Sequence, residues 1–166
     1  MFLTNLEKLT KVFDKVFVSS DSDDILTLAA QNGALAIKRP LHLCGDTPDI
    51  PVFQHALSYM DDKGHEVGGI VAVHADTPTI EKSLIVVAKK LIELGVQEVM
   101  TCHKMSPAKQ YKDQNNRIYG SIRAMTRSRL IEYPNPYLPD PDVLLVDISR
   151  EIETPADYEE LIAHDN

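Results

Sequence analysis

The sequence has few features of an exported, membrane-bound or nucleic-acid-binding protein. It has two cysteines, Cys44 and Cys102. They lie too far apart for a metal-type pair and are too few for a disulfide framework, so they read as free thiols of a reducing cytoplasm. The start, Met1-Phe2-Leu3-Thr4-Asn5-Leu6-Glu7, has no basic stretch followed by an apolar run, which argues against a secretory signal. No stretch reaches the roughly 20 apolar residues that span a bilayer. Lys and Arg form no block, and the formal net charge is -8. Bulk electrostatics therefore disfavours nucleic acid and anionic membranes as partners. Internal repeats, low-complexity tracts and linkers are absent. His42, His55, His65, His103 and His164 share no metal-ligand spacing.

What remains is an ordinary globular composition, 43% hydrophobic and 25% charged. A chain of 166 residues suits a single domain, 1–166, with one sizeable core. Strand and helix signals alternate. Thr4 and Glu7 have capping-box spacing, with Leu3, Leu6, Leu9 and Phe13 on one helical stripe. Residues 15–20 are short and β-branched, like a buried strand. Ser22 can cap a helix running to Gln31, with Asp23 and Asp24 in its first turn and Gly33 as its terminator. Residues 34–38 read as a second strand.

A loop over 39–49, punctuated by Pro40, Gly45 and Pro48, precedes a helix with Pro51 in its first turn. Residues 69–73 are the strongest buried strand. A polar loop over 74–79 leads to a long helix ending at Leu94 before Gly95, then a strand over 96–103. The periodicity weakens over 104–142, where five of the ten prolines fall. Residues 117–122 and 129–133 there look β-like, and the segment reads as an excursion from the main sheet. A strand over 143–148 and a helix over 155–163 close the chain. This alternation predicts a mainly parallel sheet covered on both faces by helices, a three-layer α/β/α domain.

Several segments carry a family resemblance in order along the chain. They are Val18-Ser19-Ser20-Asp21-Ser22-Asp23-Asp24-Ile25, then Ala29-Ala30-Gln31-Asn32-Gly33-Ala34. Lys38-Arg39-Pro40 with Gly45-Asp46-Thr47-Pro48 follows, and finally Glu151-Ile152-Glu153-Thr154-Pro155-Ala156-Asp157-Tyr158. Together they resemble the CMP-sialic acid synthetase family, the acylneuraminate cytidylyltransferases and their KDO- and legionaminate-type relatives. The resemblance implies a glycosyltransferase-A-like nucleotidyltransferase fold. It implies in-line attack of an acidic sugar's hydroxyl on the α-phosphate of CTP, releasing pyrophosphate with Mg²⁺ support. Such chemistry rests on positioning and charge neutralisation. It further implies a homodimer whose arm, within 104–142, crosses to the partner.

Two departures stand out. The family opens with a strand and a Gly-, Arg-, Ser- and Lys-rich loop around the triphosphate, whereas Met1 here aligns within the following helix. The expected chain therefore lacks that strand and loop, which would leave an open sheet edge. The second departure is His74-Ala75-Asp76-Thr77-Pro78, where the family has Gln-Pro-Thr-Ser-Pro.

The resemblance assigns roles that each have a plainer alternative. Asp21 is the catalytic candidate at a strand's carboxyl end, and Ser22 a nucleotide contact; both also suit a simple helix start. Arg39 is the base- or phosphate-reading fork, held extended by Pro40, or a solvated arginine. Asp46 and Thr47 offer nucleotide contacts beside Gly45, or form a self-stabilising turn. His74 and Lys104 are sugar contacts, or a loop histidine and a solvated lysine. Glu151 and Glu153 are the metal candidates, since alternate residues of an extended segment share a face. Thr154, Pro155 and Asp157 beside them form a helix start. Asp147 is a further acidic candidate, which would need a partner if buried. A non-catalytic dimeric module built on the same fold is the competing reading.

Overall fold

The computed structural model describes residues 2–103, 119–150, 152 and 154–164. Helix α1 (Phe2–Thr10) leads to strand β1 (Phe17–Ser20), α2 (Asp23–Gln31) and β2 (Leu35–Lys38). After a 3-10 turn come α3 (Asp49–Asp62), β3 (Gly69–Val73), α4 (Lys82–Glu93) and β4 (Glu98–His103). Strand β5 (Tyr119–Thr126), α5 (Arg127–Ile131), β6 (Val143–Asp147) and α6 (Pro155–His164) complete the described chain. Among the described residues no helix is long and apolar enough to cross a membrane.

The strands fall into two sheets. β1 and β2 pair in parallel, Phe17 opposite Leu35 and Ser20 opposite Lys38. The larger sheet has the order β3-β5-β4-β6. β5 is antiparallel to both β3 and β4, and β4 is parallel to β6, so β3, β4 and β6 share one direction. Alternation along β5 separates its faces. Ile122 and Ala124 join Ile85, Ala88 and Val99 beneath α4. Met125 turns the other way, against Ile50 and Leu57 of α3, Leu130 of α5 and Tyr133. The result is a mixed α/β domain with helices on both faces of mainly co-directional strands, as the alternation predicts.

Local signals explain most boundaries. Ser22 is extended and its hydroxyl accepts from the Ile25 amide, capping α2. Gly33, at φ 84°, ends that helix: Gly33 N donates to the Ala30 carbonyl and Ala34 N to the Ala29 carbonyl. That paired arrangement needs a left-handed residue, which glycine adopts without a Cβ clash. At α6, Thr154 and Asp157 form the reciprocal cap, with Thr154 N 2.7 Å from Asp157 Oδ2.

Three expectations change. Thr4 lies inside α1 rather than capping it, because the packing of Phe2 beside Leu6 extends the helix upstream. Residues 119–126 form an interior strand, not an excursion, and the β-like run over 129–133 is largely helical. There Thr126 caps α5 by accepting from Arg129 N, and Leu130 and Tyr133, three apart, both face the core. Segment 104–118, the rest of the expected arm, lies outside the described residues.

Side chains of α1 reach far along the sequence. Asn5 is buried and donates to the carbonyls of His74 and Thr77, at 2.9 and 3.2 Å. Lys8 donates to those of Pro78 and Ile80, at 2.6 and 2.8 Å. Burial lowers the Lys8 pKa. The polar loop over 74–80 is thereby held by the first helix.

Candidate functional site

A cavity of about 840 Å³ separates β1 from β3, a volume typical of ligand sites. Its floor is apolar, supplied by Leu6, Leu9 and Phe13 on one side and Val52, Phe53 and Met60 on the other. Most of its polar side chains gather at one rim, Ser19, Arg39, Thr47, Asp49, His74 and Asp76, while Lys15, His65 and Glu66 line the opposite end. That rim lies at the carboxyl ends of β1, β2 and β3, where open α/β sheets bind ligands.

Arg39 follows β2 directly, and its backbone amide donates to the Ser20 carbonyl at 2.9 Å, continuing the ladder. Its guanidinium is anchored on β1: Nη2 donates to the Ser19 carbonyl at 2.7 Å and Nε to Ser19 Oγ at 3.2 Å. Two of its five donors are thus engaged with β1, and the fork is oriented in advance of any ligand. Thr47 donates its hydroxyl to the Cys44 carbonyl at 3.1 Å, leaving oxygen lone pairs to accept from a ligand.

Asp49 opens α3, where the helix dipole favours a carboxylate. Its Oδ2 lies 3.8 Å from His74 Nε2 and 3.8 Å from Arg123 Nη1. Burial pushes its pKa up, but His74, Arg123 and Arg39 together outweigh that and hold it below the ordinary value. The rim is therefore an ion cluster in which one carboxylate faces three cationic or ionisable groups.

Behind the rim lies a closed network. Glu98 is fully buried; Arg123 Nη2 donates to its Oε1 at 3.0 Å and Arg129 Nε to its Oε2 at 3.3 Å. The Tyr133 hydroxyl donates to the same carboxylate at 2.8 Å. Both guanidinium groups lie over the Tyr133 ring, 5.2 and 4.8 Å from its centre, within cation–π range. Arg123 touches both this network and the rim.

Of the residues singled out in the sequence, Arg39, Thr47 and His74 come together on this rim. Asp21 does not line the cavity; its carbonyl accepts from Lys38 Nζ at 2.7 Å. Ser22 caps α2, and Asp46 is exposed and outside the lining. Asp147 is buried and fully engaged: it accepts from Ser121 N and Ser149 N, at 3.1 and 2.8 Å, and from the Ser121 hydroxyl. Burial raises its pKa, and these hydrogen bonds overcome that to lower it. It is a structural hub. Lys104, Glu151 and Glu153 lie outside the described residues.

Sequence reasoning did not single out Asp49 or Asp76. Asp49 follows Pro48 and looks only like a helix start. Asp76 Oδ1 is buried and has no hydrogen-bond partner among the described residues. The Asp76 carbonyl accepts from Ile152 N at 2.8 Å, so the tail runs beside this loop. A buried carboxylate oxygen left open fits a cation better than a void. Among the described residues no group of three metal-type side chains forms.

The α/β fold is shared with several solved structures. It is similar to CMP:2-keto-3-deoxy-manno-octonic acid synthetase solved with CTP, with a TM-score of 0.69 and 14% identity over 99% of this chain and 88% of that one. It is similar too to 4-diphosphocytidyl-2C-methyl-D-erythritol synthase from Anaerococcus prevotii (TM-score 0.64, 13% identity, covering 98% and 87%). A third likeness is Rv0371C from Mycobacterium tuberculosis in complex with manganese (TM-score 0.62, 15% identity, covering 98% and 86%). No family profile matches the chain, and no curated protein sequence matches it. At these identities the likeness establishes the fold.

Proposed function

We propose that the chain belongs to a cytidylyltransferase lineage that transfers CMP from CTP to an acidic sugar of the sialic acid, legionaminate or KDO type. The observation that carries the reading is the convergence of Arg39, Thr47 and His74 on one rim at the carboxyl ends of three strands. Arg39, fixed by Ser19, meets the cytosine edge or a phosphate. Thr47 accepts from the base, and His74, braced by Asp49, faces the sugar. The sugar hydroxyl oxygen forms a bond to the α-phosphorus as the bond from that phosphorus to the α–β bridging oxygen breaks; pyrophosphate leaves with the bridging oxygen, and the hydroxyl proton passes to solvent. Asp76, with Glu151 and Glu153 of the tail, would hold a divalent cation. When bound, such an ion supplies charge neutralisation at the phosphates. Asp21 and Ser22 then serve the scaffold behind Arg39 rather than the reacting atoms.

A second reading is favoured by one observation. Arg39 and Lys15 are the only lysine or arginine side chains lining the described cavity, and Lys15 lies at the far end beside His65, 3.0 Å away. A triphosphate is poorly neutralised by one rim arginine. A non-catalytic dimeric module that retains the fold fits that shortage.

Calorimetric titration with CTP and Mg²⁺, paired with a pyrophosphate-release assay on acidic sugars, separates the two. Saturable CTP binding with turnover supports the transferase. Binding without turnover supports the non-catalytic module. No binding at millimolar CTP would falsify the nucleotide site itself.

A further inference from the structure

The turn that ends α2 carries the one Asn-Gly pair of the sequence, Asn32–Gly33, and neither residue lines the cavity. The pair has a chemistry of its own. The side-chain amide carbon of an asparagine is an electrophile, and the backbone nitrogen of the next residue can close a five-membered ring upon it. Where that next residue is glycine, no side chain shields the nitrogen and the backbone turns freely into the closing geometry.

Water reaches both partners. Asn32 and Gly33 are exposed, and a Cβ added to Gly33 would meet nothing within 4 Å. The folded turn nevertheless holds the reacting groups apart. Asn32 Nδ2 donates to the Leu28 carbonyl at 2.8 Å, which ties the side chain back along the helix. Gly33 N donates to the Ala30 carbonyl at 3.2 Å, so the proton that must leave is engaged. Asn32 sits at φ -106° and ψ 21°, a rotation that directs the Gly33 nitrogen away from the Asn32 Cβ, whereas ring closure needs both on one side. Closure therefore requires both hydrogen bonds to break. Helix ends open at a smaller free-energy cost than a core does.

We propose that Asn32–Gly33 is a self-modifying deamidation site, closed in the folded turn and released when the last turn of α2 opens. In the open form the Gly33 nitrogen loses its proton to solvent base and bonds to Asn32 Cγ. The Cγ–Nδ2 bond breaks, and ammonia leaves with a proton from water. Water then opens the resulting succinimide at either carbonyl. Attack at Cγ gives aspartate, and attack at the main-chain carbonyl gives isoaspartate, so one water is consumed and one ammonia released overall. Either product places a carboxylate beside the Leu28 carbonyl, at the negative end of a helix whose last turn holds no basic residue. The isoaspartyl product also adds a methylene to the main chain just before Ala34, which packs with Ala29 in the core. The modification thus favours the open turn that allowed it, on the segment that leads through β2 to Arg39. This inference rests on α2 and stands apart from the nucleotide reading.

Incubation of the purified chain in mildly alkaline buffer, followed by peptide mapping with mass spectrometry, tests it. A synthetic peptide of residues 26–39, too short to hold a stable helix in water, is the unfolded reference. Residue 32 should convert in both, to isoaspartate and aspartate together, and at least about tenfold more slowly in the folded chain, the factor for an opening of about 1.4 kcal/mol. Ala30→Gly loosens the exposed last turn without touching the reacting pair and should speed conversion about fivefold. Urea below the unfolding midpoint should speed it likewise. Four results would overturn the inference: equal rates in chain and peptide, no acceleration by Ala30→Gly or by urea, an unconverted chain under every one of these conditions while the peptide is consumed, or aspartate formed without isoaspartate.

Discussion

The two sheets, two halves of one domain, treat polar groups in opposite ways. In the β3-β5-β4-β6 half they are inside and mutually satisfied. Glu98, Arg123, Arg129 and Tyr133 close on one another, and Asp147 closes on Ser121 and Ser149. In the β1-β2 half they stand at a rim: Arg39 has spare donors, and across the cavity Asp76 has an open oxygen. The contrast separates two uses of charge. A closed buried network specifies packing, and an open rim is available to a ligand.

Substitutions can break or sharpen that contrast. The largest effect is expected for Glu98→Ala, which leaves Arg123, 3% exposed, without its buried carboxylate. Loss of one partner of a buried pair costs about 3–5 kcal/mol, read as a lower midpoint in urea unfolding. Arg39→Ala should do the reverse. CTP affinity should fall roughly 10- to 100-fold, the loss of a charge-assisted contact of about 1.5–3 kcal/mol. Its unfolding midpoint should shift far less than that of Glu98→Ala. An Arg39→Ala protein that unfolds as readily as Glu98→Ala would erase the distinction between the halves.

Ser121→Ala should cost about 1–3 kcal/mol by removing one donor from buried Asp147, with CTP titrations unchanged. The smallest effect concerns pH. The Asp49 pKa is lowered in the folded protein. Its contribution is therefore complete above the ordinary carboxylate value of about 4 and is lost as pH falls through the depressed one. Acid titration of stability should show Asp49→Asn flattening that last acidic step while leaving neutral pH nearly unaffected. An unchanged acid limb would remove Asp49 from the cluster's electrostatics.

Much of the fold was legible because it rests on local signals. Gly33 and Gly95 mark helix ends, Ser22 and Thr154 mark starts, and residues 69–73 read as a strand from their β-branched content alone. Residues 129–133 misled because the short apolar run of Leu130 and Ile131 looks like a strand, whereas the three-residue spacing of Leu130 and Tyr133, which share one core cluster, is helical. The site was half legible. Arg39 and His74 stand out at strand ends, whereas Asp49 looks only like the first turn of a helix. The Glu98–Arg123–Tyr133 network was invisible, since its members lie on β4, on β5 and after α5, and only the antiparallel register brings them together. Ile85 and Ile122, fully buried, are worth about 1.5–3 kcal/mol each, and pattern alone points to such core positions.

The hold of Asn5 and Lys8 on four carbonyls of the loop over 74–80 has a practical side. A protease nick or a bulky affinity tag that frays the opening turns would unlatch a loop some seventy positions downstream. Changes confined to α1 would therefore report on His74 and Asp76, even though neither residue had been altered.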